Sequence, residues 1–229
     1  MFFFASMAKP MVDIYFAGQA MFRVKGKNAS VVIDPFDPDF TGLKFPKDWQ
    51  ADIVLSSHSH EDHANTQNIA SGTDVPMVFR DPGEYEVKGV IITGIASFHD
   101  NKEGAERGPN TIFHLNLDGL NIVHLGDLGQ SSLTEEQIAQ IGEVDILLVP
   151  VGGIFTIDGK GASEIVSQLE PKIIVPMHYF VEGLKFELDG VDKFLKEMGV
   201  ENVSPQPKLS VSRDKLPEEP QVVVLSKVV

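Results

Sequence analysis

The 229-residue chain contains no cysteine. That absence excludes disulfides, thiolate nucleophiles and sulfur-ligated metals, and it suits the cytoplasm. Positive charge is scarce as well: 19 lysines and arginines stand against 33 aspartates and glutamates, for a formal net charge of −14. A surface this acidic repels polyanions, so general binding to nucleic acid or to anionic membrane is disfavoured. Long apolar runs are missing too. No stretch approaches the ~20 residues that span a bilayer. The opening MFFFASMAK is apolar but lacks the basic start and long core of a secretory signal. Residues 1–10 are therefore set aside as an N-terminal extension of undecided status. Residues 11–229 read as one domain, since no linker, repeat or low-complexity stretch interrupts them.

Hydrophobic residues make up 42% of the chain, enough for a sizeable core. The first third reads as β, with short runs at 12–18, 20–26 and 30–36 separated by turn residues. Ile53 to Leu55 form a buried strand that runs into a polar loop, and 63–70 are expected to form a short helix with Asp62 as its N-cap. Strands follow at 75–81 and 89–100. Asp118-Gly119 joins two β-rich runs between 110 and 129 in a pattern suited to a type I′ hairpin turn. Helices are expected over 133–142, capped by Thr134 with Gln137 completing a capping box, over 161–170, and over 190–199 with Gly199 as its stop. The apolar runs at 144–153 and 171–180 are typical of strands buried on both faces, and 218–229 closes the chain as a last strand. The order is β-rich first, then β and α in alternation.

The chain has only seven histidines, yet SHSHEDH (57–63) holds three of them. His58 and His60 are two apart, so an extended backbone points both imidazoles the same way, towards one metal. Asp62 and His63 follow the bend and can face a second metal nearby. Histidine and carboxylate without thiolate form a ligand set for Zn²⁺, Mn²⁺, Fe or Co. A solvated histidine-rich loop is the alternative. His99, Asp127 and His178 each end a predicted strand, the place where sites form in helix-covered sheets. His114 and His124 lie inside hairpin strands and read as structural, with His124 a candidate partner for a ligand. Asp34 also ends a strand; a turn role before Pro35 is expected ahead of a hydrogen bond to a ligand histidine. Tyr179 is expected to pack beside the site ahead of the alternative, donating to a substrate oxygen. Arg107 and Asn110, in the Gly-rich EGAERGPN loop, either reach an anionic substrate group or stand in solvent.

HSHEDH resembles the HxHxDH signature of the metallo-β-lactamase superfamily, and His99, Asp127 and His178 resemble its later ligand positions in order and spacing. The stretches DPGEYEVKGV, FHDNKEGAERGPNTIFHL and VPVGGIFTIDGKGASEIVSQLEPKIIVPMHY are similar, more specifically, to metal-dependent hydrolases related to the ascorbate-6-phosphate lactonases. The resemblance spans roughly residues 12 to 180. It implies an α+β fold, a four-layer αββα sandwich with the site along one edge between the sheets. It also implies that His58, His60 and His99 bind one metal, that Asp62, His63 and His178 bind a second, and that Asp127 bridges them.

The expected activity is a dinuclear metal-dependent hydrolase. Two divalent ions, zinc first with Mn, Fe, Co or Ni as alternatives, share a water and ionise it to a bridging hydroxide near neutral pH. Asp62 is the expected catalytic residue, binding metal and holding the hydroxide by a hydrogen bond. Two cations less two aspartates and one hydroxide leave about +1 in the site. A small, anionic, ester-like or lactone substrate is therefore expected rather than RNA. The bond cleaved is left open among ester, lactone, amide and phosphoester. Competing readings are a metal-binding sensor or scaffold without turnover and, less favoured, a redox di-iron protein. Oligomeric state is left open, a homo-oligomer included.

Overall fold

The computed structural model describes residues 10–70, 75–201 and 203–228. Apart from Pro10, the extension expected over 1–10 lies outside the described residues. Two mixed sheets face one another. The first contains β1 (Val12–Gly18), β2 (Met21–Lys25), β3 (Ser30–Ile33), β4 (Ile53–Leu55), β5 (Met77–Phe79) and β12 (Leu209–Val211), in the order β12-β1-β2-β3-β4-β5. The second contains β6 (Gly83–Val87), β7 (Val90–Phe98), β8 (Pro109–Leu117), β9 (Leu120–His124), β10 (Ile146–Pro150), β11 (Ile173–Met177) and β13 (Gln221–Val222), in the order β13-β11-β10-β9-β8-β7-β6.

Strand periodicity explains the packing. Alternate residues of β1 and β2, among them Ile14, Phe16, Phe22 and Val24, turn inward. They join Ile33, Ile53 and Leu55 and meet Ile92, Ile112, Leu115 and Ile122 of the second sheet in one continuous core. β10 and β11 read ILLVP and IIVPM and are buried throughout. The outer face of the second sheet lies under α2 (Glu135–Ile141), α3 (Gly159–Leu169) and α4 (Val191–Glu197), with α2 packed on β7, α3 on β10 and α4 on α3. The outer face of the first sheet carries a separate cluster of Met21, Val32, Phe36, Leu43, Trp49, Val54 and Ile69. Loops and the single-turn α1 (Pro38–Thr41) cover it, so the helical layer on that side is thin. The result is an α+β sandwich.

Strand direction places the site. β7 and β9 both run antiparallel to β8, and β9, β10 and β11 run parallel to one another, so all four end at one edge of the second sheet. In the first sheet β3 and β4 run parallel and also end together. His99, Asp127 and His178 leave the first edge; Asp34 and the 57–63 motif leave the other.

Local expectations hold at several points. Thr134 and Gln137 make the reciprocal capping box of α2. Asp118 and Gly119 both take positive φ (52° and 83°), as a type I′ turn requires. Gly199, also at positive φ, follows the last turn of α4. Other expectations need correction. The helix expected over 63–70 is only a 3₁₀ turn, Thr66–Asn68, with Asn65 at its N-cap position and Asp62 turned into the site. The closing strand expected over 218–229 pairs in the second sheet only through Gln221 and Val222. Leu225 and Lys227 then bridge to Gln206 and Phe16, so the tail straps the two sheets together.

Candidate metal centre

The seven predicted side chains converge. His58, His60 and His99 bring their donor atoms within 4.8 Å of one another, and so, separately, do Asp62, His63, Asp127 and His178. One carboxylate oxygen joins the two groups: Asp127 Oδ2 lies 3.2 Å from Nε2 of His63, of His99 and of His178. Within the first group, His58 Nε2 and His60 Nδ1 are 2.9 Å apart. The backbone between them is bent rather than extended, so it is the turn at 57–60, not strand alternation, that brings the two rings together.

The donor set fits a cation. Among the described residues, six buried side-chain polar atoms lack a hydrogen-bond partner. Four of them belong to this cluster: His63 Nε2, His99 Nδ1, Asp127 Oδ1 and His178 Nδ1. Buried groups are normally satisfied, and His63 Nε2 and Asp127 Oδ1, orphaned at the cluster itself, mark a metal-sized partner; His99 and His178 face Asp127 through Nε2, so their orphaned Nδ1 atoms lie on the far side of each ring. Burial, with the charge of His63 nearby, pushes the His58 imidazole down to about 3. His60 is lowered by burial and by His99. Both therefore offer lone pairs at neutral pH. Burial disfavours charge on Asp127, but His178 and His63 outweigh it and hold the carboxyl well below the usual range. Burial likewise opposes charge on His63, yet Asp127, Asp62 and Asp34 hold it well above its ordinary value. The cluster thus pairs ionised carboxylates with a ring whose proton a cation would displace.

Supporting residues fix these donors. Asp34 is fully buried at the end of β3. It accepts from His63 Nδ1 (2.8 Å), Ser57 Oγ (2.7 Å) and Ser57 N (2.7 Å), which turns His63 Nε2 towards the site. It orients His63, a candidate ligand, rather than taking the turn role expected before Pro35. Asn110 is neither solvated nor free for a substrate. It is 1% exposed, donates to Ser97 Oγ and Leu125 O, and accepts from Asp127 N at 3.0 Å, so it holds the Asp127 backbone. His124 is a neutral core residue: its Nε2 lies 2.9 Å from Ala20 O, and its Nδ1 accepts from Gly126 N. His114 stands outside the cluster beside Asn121. Tyr179 packs near Phe16, and burial pushes its phenol up to about 12. Two loops can press against the ligands only because they carry glycine. A Cβ on Gly129 would meet His99 carbonyl atoms at 2.3 Å, and one on Gly152 would meet His178 O at 2.0 Å.

Sequence reasoning missed Gln19. Its Nε2 donates to Asp62 Oδ2 (2.9 Å) and lies 2.8 Å from His178 Nε2, with no exposure to solvent. Gln19, Asp34 and His178 all take positive φ (56°, 48° and 49°), and strain of this kind gathers where a site over-determines the backbone. A cleft of about 570 Å³ opens over the cluster. His60, Asp62, His99 and Asp127 form its floor. Phe40, Phe155, Phe186 and Arg107 form a wall that sequence reading anticipated only at Arg107.

The β-lactamase superfamily domain profile matches residues 13–178, from β1 to the last candidate ligand. This chain belongs to the β-lactamase superfamily. Its relatives include metal-dependent hydrolases from Thermococcus onnurineus (31% identity, covering 74% of this chain and 85% of that one) and Thermoplasma acidophilum (32%, covering 73% and 83%). Among solved structures, a candidate Zn-dependent hydrolase of the metallo-β-lactamase superfamily from Thermotoga maritima is 37% identical. It superposes with a TM-score of 0.75 over 93% of this chain and 98% of that one. The superfamily member described here is accordingly a metal-dependent hydrolase with a His/Asp cluster able to bind metal.

Proposed function

We propose that this hydrolase holds two divalent cations, zinc foremost, with manganese, iron, cobalt or nickel able to occupy the same donors. It cleaves an ester, lactone or phosphoester bond in a small anionic molecule. The observation that carries the reading is the division of seven side chains into two donor groups that share Asp127 Oδ2. When bound, such a metal pair supplies hydroxide near neutral pH and polarises the bond under attack.

The chain's own residues do the rest. His58, His60 and His99 form the donor group that includes exposed His60, on the floor of the cleft. Asp62, His63 and His178 form the buried group, and Asp127 sits between the two. Asp62 is the proposed catalytic residue. It lines the cleft, its carboxyl stays ionised because His63 outweighs the opposing effect of burial, and its oxygen can accept a proton from the attacking water. Gln19 steadies that carboxylate by donating to Oδ2. Asp34 and Asn110 hold His63 and Asp127 in register. We place the protein in the cytoplasm, acting on small molecules rather than nucleic acid, consistent with its −14 charge and its lack of cysteine.

The test is metal analysis of the purified chain, then a panel of chromogenic esters, lactones and phosphodiesters before and after chelation. Two equivalents of metal and turnover that disappears with chelator and returns with zinc support the proposal. Two metals without turnover on any substrate would shift the assignment to a binding protein. Better cleavage of RNA oligomers than of small esters would overturn the substrate reading.

A further inference from the structure

The wall of the cleft is apolar in a way the metal chemistry does not require. Phe40 comes from α1, Phe155 from the loop after β10, and Phe186 from the loop after β11. These three distant segments bring their rings into one row. Phe186 lies 5.9 Å from Phe40 and 6.0 Å from Phe155, the latter contact edge to face. Phe40 and Phe155 are 44% and 37% exposed, so the row meets solvent rather than core. The Arg107 guanidinium lies 5.7 Å from the Phe155 ring centre, and its Nη2 donates to Ile154 O at 3.0 Å. Ile154 itself takes φ +60, a costly value for a β-branched residue, in the turn that presents Phe155.

Arg107 is held in place as well as near the cleft. Asp100, next to His99, accepts from the backbone N–H groups of Lys102, Gly104, Glu106 and Arg107 at 2.7–2.9 Å, which ties the β7–β8 loop into one conformation. The other charged residues of the cleft mouth are Glu61 and Glu106, the latter paired with Lys102. A single cation among carboxylates suits one anionic group and repels a substrate with several. Apart from His60 and His99 of the metal cluster, Ser59 is the only neutral hydrogen-bonding side chain among the described lining residues, so a polyhydroxylated sugar would find few partners. The volume matches a small organic molecule.

Resting on the hydrolase reading above, we propose that the substrate carries an aryl or similarly flat apolar group beside one anionic oxygen-bearing group. Phe40, Phe155 and Phe186 receive the ring, Arg107 pairs with the oxygen, and the scissile bond lies over Asp62 and Asp127. Stacking and burial of one phenyl group at such a wall gives roughly tenfold or more in affinity.

The test uses the zinc-loaded full chain and compares phenylphosphonate with methylphosphonate by titration calorimetry. The phenyl compound is expected to bind about tenfold or more tightly. The F155A/F186A double variant should lose that preference with its metal content unchanged, and R107Q should weaken phenylphosphonate by about tenfold. All three positions are at least partly exposed, so folding is not at stake. Equal binding of the two phosphonates, or a preference that survives F155A/F186A, would overturn the proposal. In parallel, γ-phenyl-γ-butyrolactone should exceed γ-butyrolactone in kcat/KM. If neither lactone is cleaved while the phosphonate preference holds, the cleft assignment stands and lactone hydrolysis is removed from the proposed function.

Discussion

Replacing Asp34 with alanine leaves His63 Nδ1 and Ser57 Oγ without the acceptor they share, in a place with no access to water. Breaking a buried pair of this kind costs about 3 kcal/mol. Thermal unfolding of metal-free D34A should show that loss, and a change within error would refute the role given to Asp34. Gln19→Ala acts differently. It removes a neutral support from Asp62 and His178, so the fold should persist while metal affinity or turnover falls about ten- to a hundredfold. Metal retained after dialysis against graded chelator measures it, and wild-type retention together with wild-type turnover would remove Gln19 from the site. His58, His60, Asp62 and His63 were legible from sequence because their identities and spacing are informative by themselves, whereas His99, Asp127 and His178 became legible only as strand-end residues taken with that motif and through the family resemblance. The supports were not. Gln19 sits in an ordinary AGQAM turn, and Asn110 becomes buried only through the pairing of Ser97 with Asn110 across β7 and β8. Tertiary register of that kind is not written in either residue's neighbours.

The strands present the ligands, and the loops between them press those ligands together. Gly152→Ala would drive a methyl group into the His178 carbonyl. The variant should lose metal from the Asp62–His63–His178 group and about 2 kcal/mol of stability, the usual cost of overpacking. Metal stoichiometry and denaturant unfolding check both, and full occupancy would show that the loop yields. Elsewhere, Asp13 ties β1 to β12 through Ser210 and Lys208. Burial opposes its charge, but the Ser210 hydroxyl and the Lys208 ammonium lower its pKa below 3.8. A depressed carboxyl contributes stability above the unfolded value and loses it as pH falls through the folded one. D13N should therefore be slightly less stable than wild type at pH 7, by under about 1 kcal/mol for so exposed a pair. The difference should shrink as pH falls below 3.8 in paired urea titrations; a gap that stays constant or widens with falling pH contradicts this account. Elements with strong local signals were legible: the buried strands, the type I′ hairpin and the capping box of α2. Those without were not. β6 alternates exposed and half-buried residues at a sheet edge, β12 is three residues long, and the 63–70 segment gives its backbone over to aiming Asp62 and His63.

Across the whole molecule, two sheets stacked face to face bring four strand ends together to deliver one cluster. The chain as a whole carries −14, while the centre gathers imidazoles and two carboxylates. The sandwich was implied by the resemblance to the metallo-β-lactamase superfamily; β-rich runs followed by alternation are compatible with it but do not establish it, and the meeting of residue 58 with residue 178 depends on the strand order of both sheets, which no local pattern contains. The account rests on the claim that these seven side chains enclose two cations. Crystals of the purified chain, measured above and below the zinc absorption edge, test it directly. The account predicts two anomalous peaks. One lies among His58, His60 and His99, the other among Asp62, His63 and His178, and Asp127 touches both. A single peak, or peaks bound elsewhere on the chain while this cluster holds only water, would contradict it.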